Sequence, residues 1–317
     1  MDRLTENKII LVVRETRLEE LKARFNTVSQ ARFYVQQAGG NFADYEEEDV
    51  AYHRATDMAQ QVLGLIGRVQ TLHRRFLPNF MFGREDVVVA VGQDGLVANT
   101  LKYLDGQPLI GVNPEPARYD GLLLPFQVRD LAKIVPETIR SKRPLKAVSM
   151  AKASLNNGQT LYAVNDLFIG PKTHGSARYT IKLGDHVERH SSSGIIVSTG
   201  LGSTGWFTSL ITGATAVAAA FGAQRNGRKE TPAVPAPKFP WDAKHLFFTV
   251  REPFPSKTSA ASLVFGKVTS KQPLLLESHM PERGVIFSDG IEADFLEFNS
   301  GTKTEITIAE RQGRLVL

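Results

Sequence analysis

Residues 85–99, EDVVVAVGQDGLVAN, contain the arrangement that decides the fold. The apolar, β-branched run at residues 87–91 has no polar side chain, which is typical of a strand buried on both faces of a parallel sheet. A glycine turn, GQDG at residues 92–95, follows this run, and apolar residues continue with helical spacing through residues 96–104. Glycines let a ligand approach the backbone, and the free N–H groups of the next helix favour an anion such as phosphate. The stretch therefore predicts a strand, a ligand-binding turn and a helix.

Asp94 is the candidate functional side chain of this turn. It would lie at the carboxyl end of the strand, which is where open α/β sheets bind their ligands. The same four residues also make an ordinary turn sequence, because aspartate and glycine both tolerate turn geometry. Both interpretations stay open on this stretch alone, so other segments must decide between them.

The composition of the chain is typical of a globular protein. Its 317 residues are enough for two domains, with 42% hydrophobic and 22% charged residues. No run of about 18 apolar residues is evident, and the first residues lack the patterns of a secretion signal and of a transit peptide. We therefore expect a cytoplasmic protein without a membrane span. The absence of cysteine excludes disulfides, thiolate metal sites and cysteine nucleophiles.

The charge of the chain constrains its partners only weakly. A formal net charge of +5 is compatible with anionic ligands such as nucleotides, but 38 basic residues exceed 33 acidic residues by little. No basic stripe with interleaved aromatic residues accompanies this excess, so we expect no nucleic-acid partner. The acidic cluster at residues 46–49 is interpreted as a solvated helix start or loop rather than a metal site.

Residues 1–140 predict an α/β domain with a mainly parallel sheet. A buried strand at residues 8–13 precedes a helical pattern at residues 17–25, and a further short strand at residues 109–113 follows the glycine turn. An amphipathic helix is predicted over residues 52–76. Because the carboxyl ends of parallel strands share one edge of a sheet, we expect the functional loops at that edge.

Residues 141–317 predict a mainly antiparallel β domain. Short β-branched and aromatic runs alternate there with glycine, asparagine and serine turns. An alanine-rich helix is predicted over residues 208–221, and the basic, then proline-rich stretch at residues 223–240 is predicted to be a surface loop. The last residues of the chain are a candidate for a return to the first domain.

Two polar motifs interrupt the apolar runs of this β domain. Asn165 and Asp166 are neighbours, and a strand sends neighbours to opposite faces, so one can meet a ligand while the other supports it. A β-bulge or a strand-end turn would explain the same pair. Residues 191–206, SSSGIIVSTGLGSTGW, lead from a predicted strand through glycines and hydroxyls towards the predicted helix. This combination suits a phosphorylated ligand, although a flexible polar connection has the same composition.

In this order the motifs resemble those of the NAD kinase family, within the wider group that includes diacylglycerol and sphingosine kinases. The family's Gly-Gly-Asp-Gly turn is similar to residues 92–95, its Asn-Glu/Asp pair to Asn165 and Asp166, and its glycine- and threonine-rich loop to residues 199–206. The likeness extends over nearly the whole chain and is strongest to mitochondrial-type NAD kinases. The features shared with that type are IGVN at residues 110–113, SSG at residues 192–194, Trp206, REP at residues 251–253 and DG at residues 289–290.

The resemblance implies a two-domain enzyme that transfers the γ-phosphoryl group of ATP to the 2′-hydroxyl of NAD, giving NADP, with Mg²⁺ or another divalent cation. Asp94 then meets that hydroxyl, as general base or through Mg²⁺. The likeness assigns substrate-binding roles to Gly92, Gly95, Asn165, Asp166, Gly202, Ser203, Thr204, Trp206 and Ser209. Family members form dimers or larger oligomers, so the resemblance also implies a homo-oligomer.

Some residues depart from the family pattern and leave other functions open. Gln93 replaces a glycine, and Leu96 stands where many members have a threonine or asparagine, for which Asn99 or Thr100 are candidate replacements. Ser193 stands where most bacterial members have an acid. One alternative is a dinucleotide-binding regulatory protein that lost its chemistry through Gln93 and Leu96. Another is a related kinase acting on a lipid or a small polyol, although no amphipathic membrane helix supports a lipid substrate.

Overall fold

The computed structural model describes residues 4–226 and 238–317. The chain divides into two compact units, the first comprising Met1–Lys146 with Gly313–Leu317 and the second comprising Ala147–Gln312. In chain order, the first part contains β1 (Lys8–Val13), α1 (Arg17–Phe25), α2 (Val28–Gln37), α3 (Ala43–Gly64), β2 (Arg68–His73), β3 (Val87–Val91), α4 (Asp94–Leu101), β4 (Pro108–Val112) and α5 (Leu131–Ile139). Short 3-10 helices occur at Arg74–Asn79 and Val128–Asp130.

The elements that follow are mostly strands. They are β5 (Leu145–Leu155), β6 (Thr160–Ala163), β7 (Asp166–Pro171), β8 (Ala177–Leu183), β9 (His186–Ser192), β10 (Gly194–Ser198), α6 (Trp206–Asn226), β11 (Leu246–Arg251), β12 (Phe265–Val268), β13 (Leu274–Ser278), β14 (Gly284–Ser288), β15 (Ile291–Glu297) and β16 (Lys303–Val316). A 3-10 helix at Gly202–Thr204 precedes α6. The strand β16 belongs to the second unit as far as Gln312, and its last residues belong to the first.

The first unit is built on a parallel sheet. Its strand order is β2-β1-β3-β4 followed by the end of β16, and every adjacent pair is parallel. All five residues of β3 are buried, as its apolar sequence predicts. The core packs Leu11 and Val89 of the sheet against Leu63 of α3 and Val135 of α5. The carboxyl ends of β1, β3 and β4 therefore meet at one edge, where the loops that could bind a ligand begin.

The prediction of one helix over residues 52–76 is wrong. The helix α3 ends at Gly64, and β2 then forms the edge strand beside β1. Gly67 lies between them, where a Cβ would be 3.1 Å from Ile9 Cδ1, so the chain passes close to β1. Edge strands are partly exposed, and the apolar residues of β2 therefore carry no clear strand alternation. Their spacing continued the helical pattern by chance.

The second unit consists of two sheets with antiparallel pairing. One has the order β16-β13-β8-β9, with β5 pairing with β16 and β6, and the other has the order β12-β11-β10-β7-β14-β15. Tyr179 and Ile181 of the first sheet share a buried cluster with Ile195 and Val197 of the second, so the core lies between the sheets. The predicted fold class, an α/β domain with a mainly parallel sheet followed by a mainly antiparallel β domain, is confirmed.

The helix α6 begins just after the glycine loop and continues the predicted helix as far as Asn226. Of the proline-rich stretch predicted to be a loop, residues 227–237 lie outside the described residues. Within the described part of the chain, Gly202–Phe221 is the one segment long and apolar enough to cross a membrane by length and composition. That measure does not separate a membrane span from a helix that packs against protein, so the expected absence of a span stays a prediction.

Candidate active site

Asp94 is the first residue of α4 and lies within the glycine turn that follows β3. Its carboxylate does not cap its own helix but accepts hydrogen bonds from the backbone N–H groups of Leu122 and Leu123, at 3.2 and 2.7 Å. The side chain is partly exposed. Two backbone donors therefore fix the orientation of this carboxylate while part of it still faces outwards.

The loop that supplies these donors follows β4. It reaches Asp94 because β4 has no side chain at Gly111, where a Cβ would lie 1.9 Å from Leu123 O. Asn113 fixes the loop further, since its Nδ2 donates to Tyr119 O at 2.9 Å and its backbone N–H donates to Phe126 O at 2.7 Å. The glycine of the IGVN sequence thus allows the contact that orients the acid.

The glycines of the turn have different surroundings. A Cβ on Gly92 would lie 2.9 Å from Leu96 Cδ2, so the buried Leu96 packs directly on the turn. Gly95 is exposed, with no atom within 4 Å of a Cβ placed there. Gln93, which replaces a glycine of the family pattern, has φ −115° and ψ 164°, an extended conformation that any residue adopts. Glutamine is therefore compatible with the backbone of the turn.

The candidate replacements for the polar residue missing at position 96 are both buried. The Thr100 hydroxyl donates to Leu96 O at 2.7 Å within its own helix, so it is already engaged. Asn99 is buried, and its Oδ1 has no hydrogen-bond partner among the described residues. Of these two candidates, Asn99 is the one with an unpartnered polar atom among the described residues.

Two arginines after β1 add a positive charge that the sequence analysis missed. Arg14 is buried, donates from Nη2 to Glu48 Oε1 at 2.8 Å, and stacks on Tyr52. Glu48 also accepts from Arg17. Burial opposes ionisation of Glu48, but hydrogen bonds from Arg17 and Arg14 outweigh it and lower the pKa of this carboxyl. Two arginines share the Glu48 carboxylate, and the Arg14 guanidinium lies beside the sheet edge.

The position of Arg14 points this charge at the glycine turn. Its Nε is buried without a hydrogen-bond partner among the described residues and lies 3.8 Å from where a Gly92 Cβ would be. Tyr52 accepts from Arg14 N at 2.8 Å and donates to Val91 O at 2.9 Å, tying the ends of β1 and β3 together. Burial raises the pKa of Tyr52 to about 12, so the donating proton is kept.

The acidic cluster at residues 46–49 lies inside α3, and its Glu48 is a buried partner rather than a solvated residue.

In the second unit, Asp289 organises the turn that carries Asn165 and Asp166. Its carboxylate accepts from the backbone N–H groups of Val164 and Asn165, at 3.0 and 2.6 Å, and more distantly from that of Asp166. Its own N–H donates to Asp166 O at 3.0 Å. Asp289 has φ 55°, a left-handed conformation that aspartate tolerates better than most residues. The Asp-Gly turn at residues 289–290 therefore holds the Asn-Asp pair in place.

The two residues of the pair differ in exposure. Asn165 lies between β6 and β7 and is partly exposed, and its side chain makes no hydrogen bond to any described residue. Asp166 begins β7 and is only 8% exposed. Burial first, and the nearby charge of Asp289 second, raise the pKa of Asp166 to about 7. This carboxyl therefore changes protonation near neutral pH.

The glycine-rich loop packs directly on the Asn-Asp turn. A Cβ on Gly202 would lie 2.0 Å from Asn165 O, and Thr199 N donates to the same carbonyl at 2.9 Å. The Ser203 hydroxyl is buried and donates to Gly200 O at 2.8 Å, so Ser203 holds the loop together. The structure thus brings Asn165, Asp166 and this loop together in one place.

The residues that follow the loop present hydroxyls and an aromatic ring. Thr204 and Ser209 are exposed and make only long hydrogen bonds, of 3.5 and 3.4 Å, to nearby carbonyls. Trp206 stacks on Phe168 at a centroid distance of 5.9 Å, and the Arg251 guanidinium lies 5.5 Å from its ring. Trp206 is therefore anchored on the sheet rather than free.

One group of side chains in the described part of the chain could hold a metal ion by geometry alone. Glu19, Asp49 and His53 offer ligand atoms within 4.8 Å of one another. Glu19 also completes the capping box of α1 with Thr16, and Asp49 accepts a hydrogen bond from the same threonine. His53 is half exposed between the two carboxylates. These contacts are those of surface ion pairs, so we assign no metal to this group.

No protein-family model and no curated protein matches this sequence, but solved structures do. The chain is similar to an NAD kinase from Archaeoglobus fulgidus crystallised in complex with ATP, with a TM-score of 0.55, 14% identity, and coverage of 98% of this chain and 93% of that chain. It is also similar to yeast NADH kinase complexed with NADH, with a TM-score of 0.55, 13% identity, and coverage of 98% and 84%. At these identities the likeness concerns the fold, and the chain has an NAD kinase-like fold.

Proposed function

We propose that this chain is an NAD kinase, which transfers the γ-phosphoryl group of ATP to the 2′-hydroxyl of the adenosine ribose of NAD. One observation carries the proposal. In a chain with an NAD kinase-like fold, the acid of the glycine turn, Asp94, lies at the carboxyl end of a parallel strand with its carboxylate oriented by two backbone amides. That is where open α/β sheets place their ligands.

The role proposed for Asp94 follows from what phosphoryl transfer requires. The ribose oxygen attacks the γ-phosphorus, the bond from that phosphorus to the bridging oxygen of the β-phosphate breaks, and ADP leaves. The proton of the 2′-hydroxyl passes to the Asp94 carboxylate. Such a reaction depends on alignment and charge neutralisation more than on covalent help, and a carboxylate fixed by Leu122 and Leu123 is aligned before substrate binds.

The turn is also compatible with a bound magnesium ion. Mg²⁺ is usually held by one or two carboxylates together with substrate phosphates, and Asp94 supplies one carboxylate with oxygen lone pairs to spare. Bound there, Mg²⁺ would neutralise charge on the phosphates. Arg14 would assist from the protein side as a positioning residue, because its unpartnered Nε lies beside Gly92.

The adenosine part of NAD is proposed to bind at the Asn-Asp turn of the second unit. The Asn165 amide offers both donors and an acceptor, and Asp166 lies beside it in the same turn. Thr204 and Ser209 offer exposed hydroxyls, while Gly202 holds the loop against Asn165 O. The anchored ring of Trp206 would form one wall.

The finer likeness to mitochondrial-type NAD kinases is part of the proposal. Two residues shared with that type, Trp206 and Arg251, lie against each other, which supports treating them as one feature. We also propose that the chain acts as a homo-oligomer in the cytoplasm, the first by likeness to the family and the second from the sequence alone.

An activity panel on the purified full chain tests this proposal and separates it from the alternatives. NAD, NADH, diacylglycerol, a sphingoid base and glycerol serve as acceptors, with ATP, another nucleoside triphosphate or polyphosphate as donor and Mg²⁺ present. The proposal predicts NADP from NAD, measured with an NADP-specific dehydrogenase. Calorimetric NAD binding without transfer from any donor would support the regulatory protein, an option that the buried Leu96 keeps open. Transfer only to a lipid or polyol would support the related kinase.

A further inference from the structure

A second cleft lies at the other edge of the parallel sheet in the first unit. Its volume is about 300 Å³, and it is lined by the first residues of three parallel strands, Lys8, Val87 and Pro108. Asp94 follows the opposite, carboxyl end of β3. Since β3 has five residues and a strand rises about 3.3 Å per residue, the two edges are about 15 Å apart. A small ligand in this cleft would not reach the Asp94 turn.

The cleft is strongly cationic. Among the described residues that line it, Lys8, Arg84, Arg143 and Arg314 are basic, and Glu85 alone carries a carboxylate. This excess is local, because the whole chain is only slightly basic. A concave surface lined by one sign of charge concentrates ions of the opposite sign.

The arginines of the cleft have unused donors. Arg84 and Arg314 are exposed, and neither has an ion pair or a side-chain hydrogen bond to a described residue. Arg143 makes a long contact of 3.5 Å from Nη1 to Glu137, while its Nε is buried without a partner among the described residues. Each guanidinium carries five N–H donors in a fork that matches carboxylate and phosphate oxygens. Most of this donor capacity meets no acceptor among the described residues.

The end of α5 and the strand pairing determine where these arginines lie. The helix α5 ends beside the cleft, but three of its last carbonyls already accept backbone N–H groups: Pro136 from Arg140, Thr138 from Ser141 and Glu137 from Lys142. Strand pairing fixes the position of Arg314, which lies opposite Pro108 of β4. The arginines are thus placed mainly by the ends of the sheet and by α5, and among the described residues only Glu137 forms an ion pair with one of them, Arg143.

We propose that this cleft binds a small phosphate-bearing anion with at least two negative charges, at a site separate from the Asp94 turn. Planar guanidinium groups bind phosphate oxygens in pairs, which favours phosphate over a simple inorganic anion such as chloride. A volume of about 300 Å³ is at the lower limit for ligand pockets, so the site suits a pyrophosphate-sized group rather than a whole dinucleotide. The inference does not depend on the proposed kinase activity.

Calorimetric titration of the full chain with pyrophosphate, without divalent cations and at constant ionic strength, tests this site. The test variant is R84Q/R314Q, which removes two exposed guanidinium groups from the cleft. The matched control, R178Q/R189Q, makes the same change at exposed arginines of β8 and β9 in the second unit. We expect the Kd for pyrophosphate to rise at least about tenfold in the cleft variant and to change less than about twofold in the control. Inorganic phosphate should bind the wild type more weakly than pyrophosphate.

Hydrogen exchange under the same conditions locates the bound anion. Pyrophosphate should slow exchange in peptides covering residues 83–87 and 139–145 of the wild type and the control, and not in R84Q/R314Q. Equal affinity in all three proteins, no binding to the wild type, or protection confined to residues 92–96 would each overturn the proposal. The last result would place the anion at the Asp94 turn.

Discussion

The two acidic turns of this protein hold their carboxyl groups in opposite ways. In the first unit, Asp94 is partly exposed and receives two backbone N–H groups from a distant loop. In the second, Asp166 is buried, and the backbone N–H groups of its turn go to another carboxylate, Asp289. Burial raises the pKa of Asp166 to about 7. The first turn orients the Asp94 carboxylate so that it can contact a substrate. The second turn uses the Asp289 carboxylate as a scaffold and favours the uncharged form of Asp166.

This difference teaches which acid suits which task. A general base must be within hydrogen-bond reach of the proton that it accepts, which an exposed and oriented carboxylate allows. A buried carboxyl beside another acid is better placed to shape a binding turn than to meet a reacting hydroxyl. The comparison therefore supports the proposal that Asp94 takes part in the chemistry and that the turn of Asn165 and Asp166 takes part in binding.

The largest expected effect comes from Asp94→Asn. Asparagine keeps the shape of the side chain but cannot take the hydroxyl proton, so kcat for NADP formation should fall by roughly 10²-fold or more. The Kd for NAD, measured by calorimetry, should change by less than about threefold. Asp120→Asn makes the same change at an exposed acid of the neighbouring loop and should leave both values unaltered. A fully active D94N variant would show that Asp94 takes no part in the reaction.

The scaffold role of Asp289 predicts a large loss of stability. Asp289→Ala leaves the backbone N–H groups of Val164 and Asn165 without their acceptor and should lower the free energy of unfolding by about 2–4 kcal/mol. Asp289→Asn keeps one acceptor oxygen and tolerates a φ of 55°, so its loss should be smaller. Urea unfolding measures both variants. Equal stability of D289A and the wild type would show that the turn does not need this carboxylate.

The close packing of the glycine loop on the Asn-Asp turn predicts a strong effect of Gly202→Ala. The new methyl group would lie 2.0 Å from Asn165 O, so the loop must move, at a cost of about 1–3 kcal/mol. Weaker NAD binding should accompany this loss. Gly213→Ala is the control, because no atom lies within 4 Å of its Cβ position in α6. If G202A and G213A bind NAD with equal affinity, the glycine-rich loop does not contribute to the NAD site.

The raised pKa of Asp166 predicts a pH dependence of stability with a defined sign. Between the ordinary aspartate pKa near 4 and about 7, the unfolded chain has lost this proton while the folded protein keeps it. Stability from this group is therefore full below pH 4 and falls as pH rises to about 7, by at most about 1.4 kcal/mol per pH unit. Unfolding free energies of the wild type minus those of Asp166→Asn, measured from pH 5 to 8, should show that fall. A constant difference would place the pKa of Asp166 in its ordinary range.

The smallest effect is expected at Gln93, the departure from the family pattern in the Asp94 turn. Its extended backbone suits any residue, so Gln93→Gly should change kcat by less than about threefold and lower the free energy of unfolding by less than about 1 kcal/mol. NADP formation and urea unfolding give the two values. A tenfold rise in kcat would instead mean that the glutamine side chain crowds the phosphates.

The local structure around the Asp94 turn was predictable from the sequence. The strand β3 is buried along its whole length, as its apolar run predicts, and a helix follows it, beginning at Asp94 within the glycine turn. Adjacent residues decide such features, because strand burial and turn conformation depend on near neighbours. The short β-branched runs after residue 140 likewise predicted the change to an antiparallel β domain.

The parts that position the side chains were not predictable, because they join residues far apart in the chain. Asp94 meets the amide of Leu123, 29 residues away, and Asp289 meets that of Asn165, 124 residues away. Glu48, the buried partner of Arg14, belongs to an acidic cluster that was interpreted as solvated. The sequence of such a cluster does not show which of its residues faces the core. Only the complete fold brings these partners together.

Identification of the reaction product is the most direct test of the central claim. The wild-type chain is incubated with NAD, ATP and Mg²⁺, and phosphorus NMR and mass spectrometry locate any new phosphate on the dinucleotide. We predict one added phosphate, on the 2′-oxygen of the adenosine ribose, with ADP formed in equal amount. NAD that binds but stays unmodified with every donor, or a phosphate at any other position, would contradict the account.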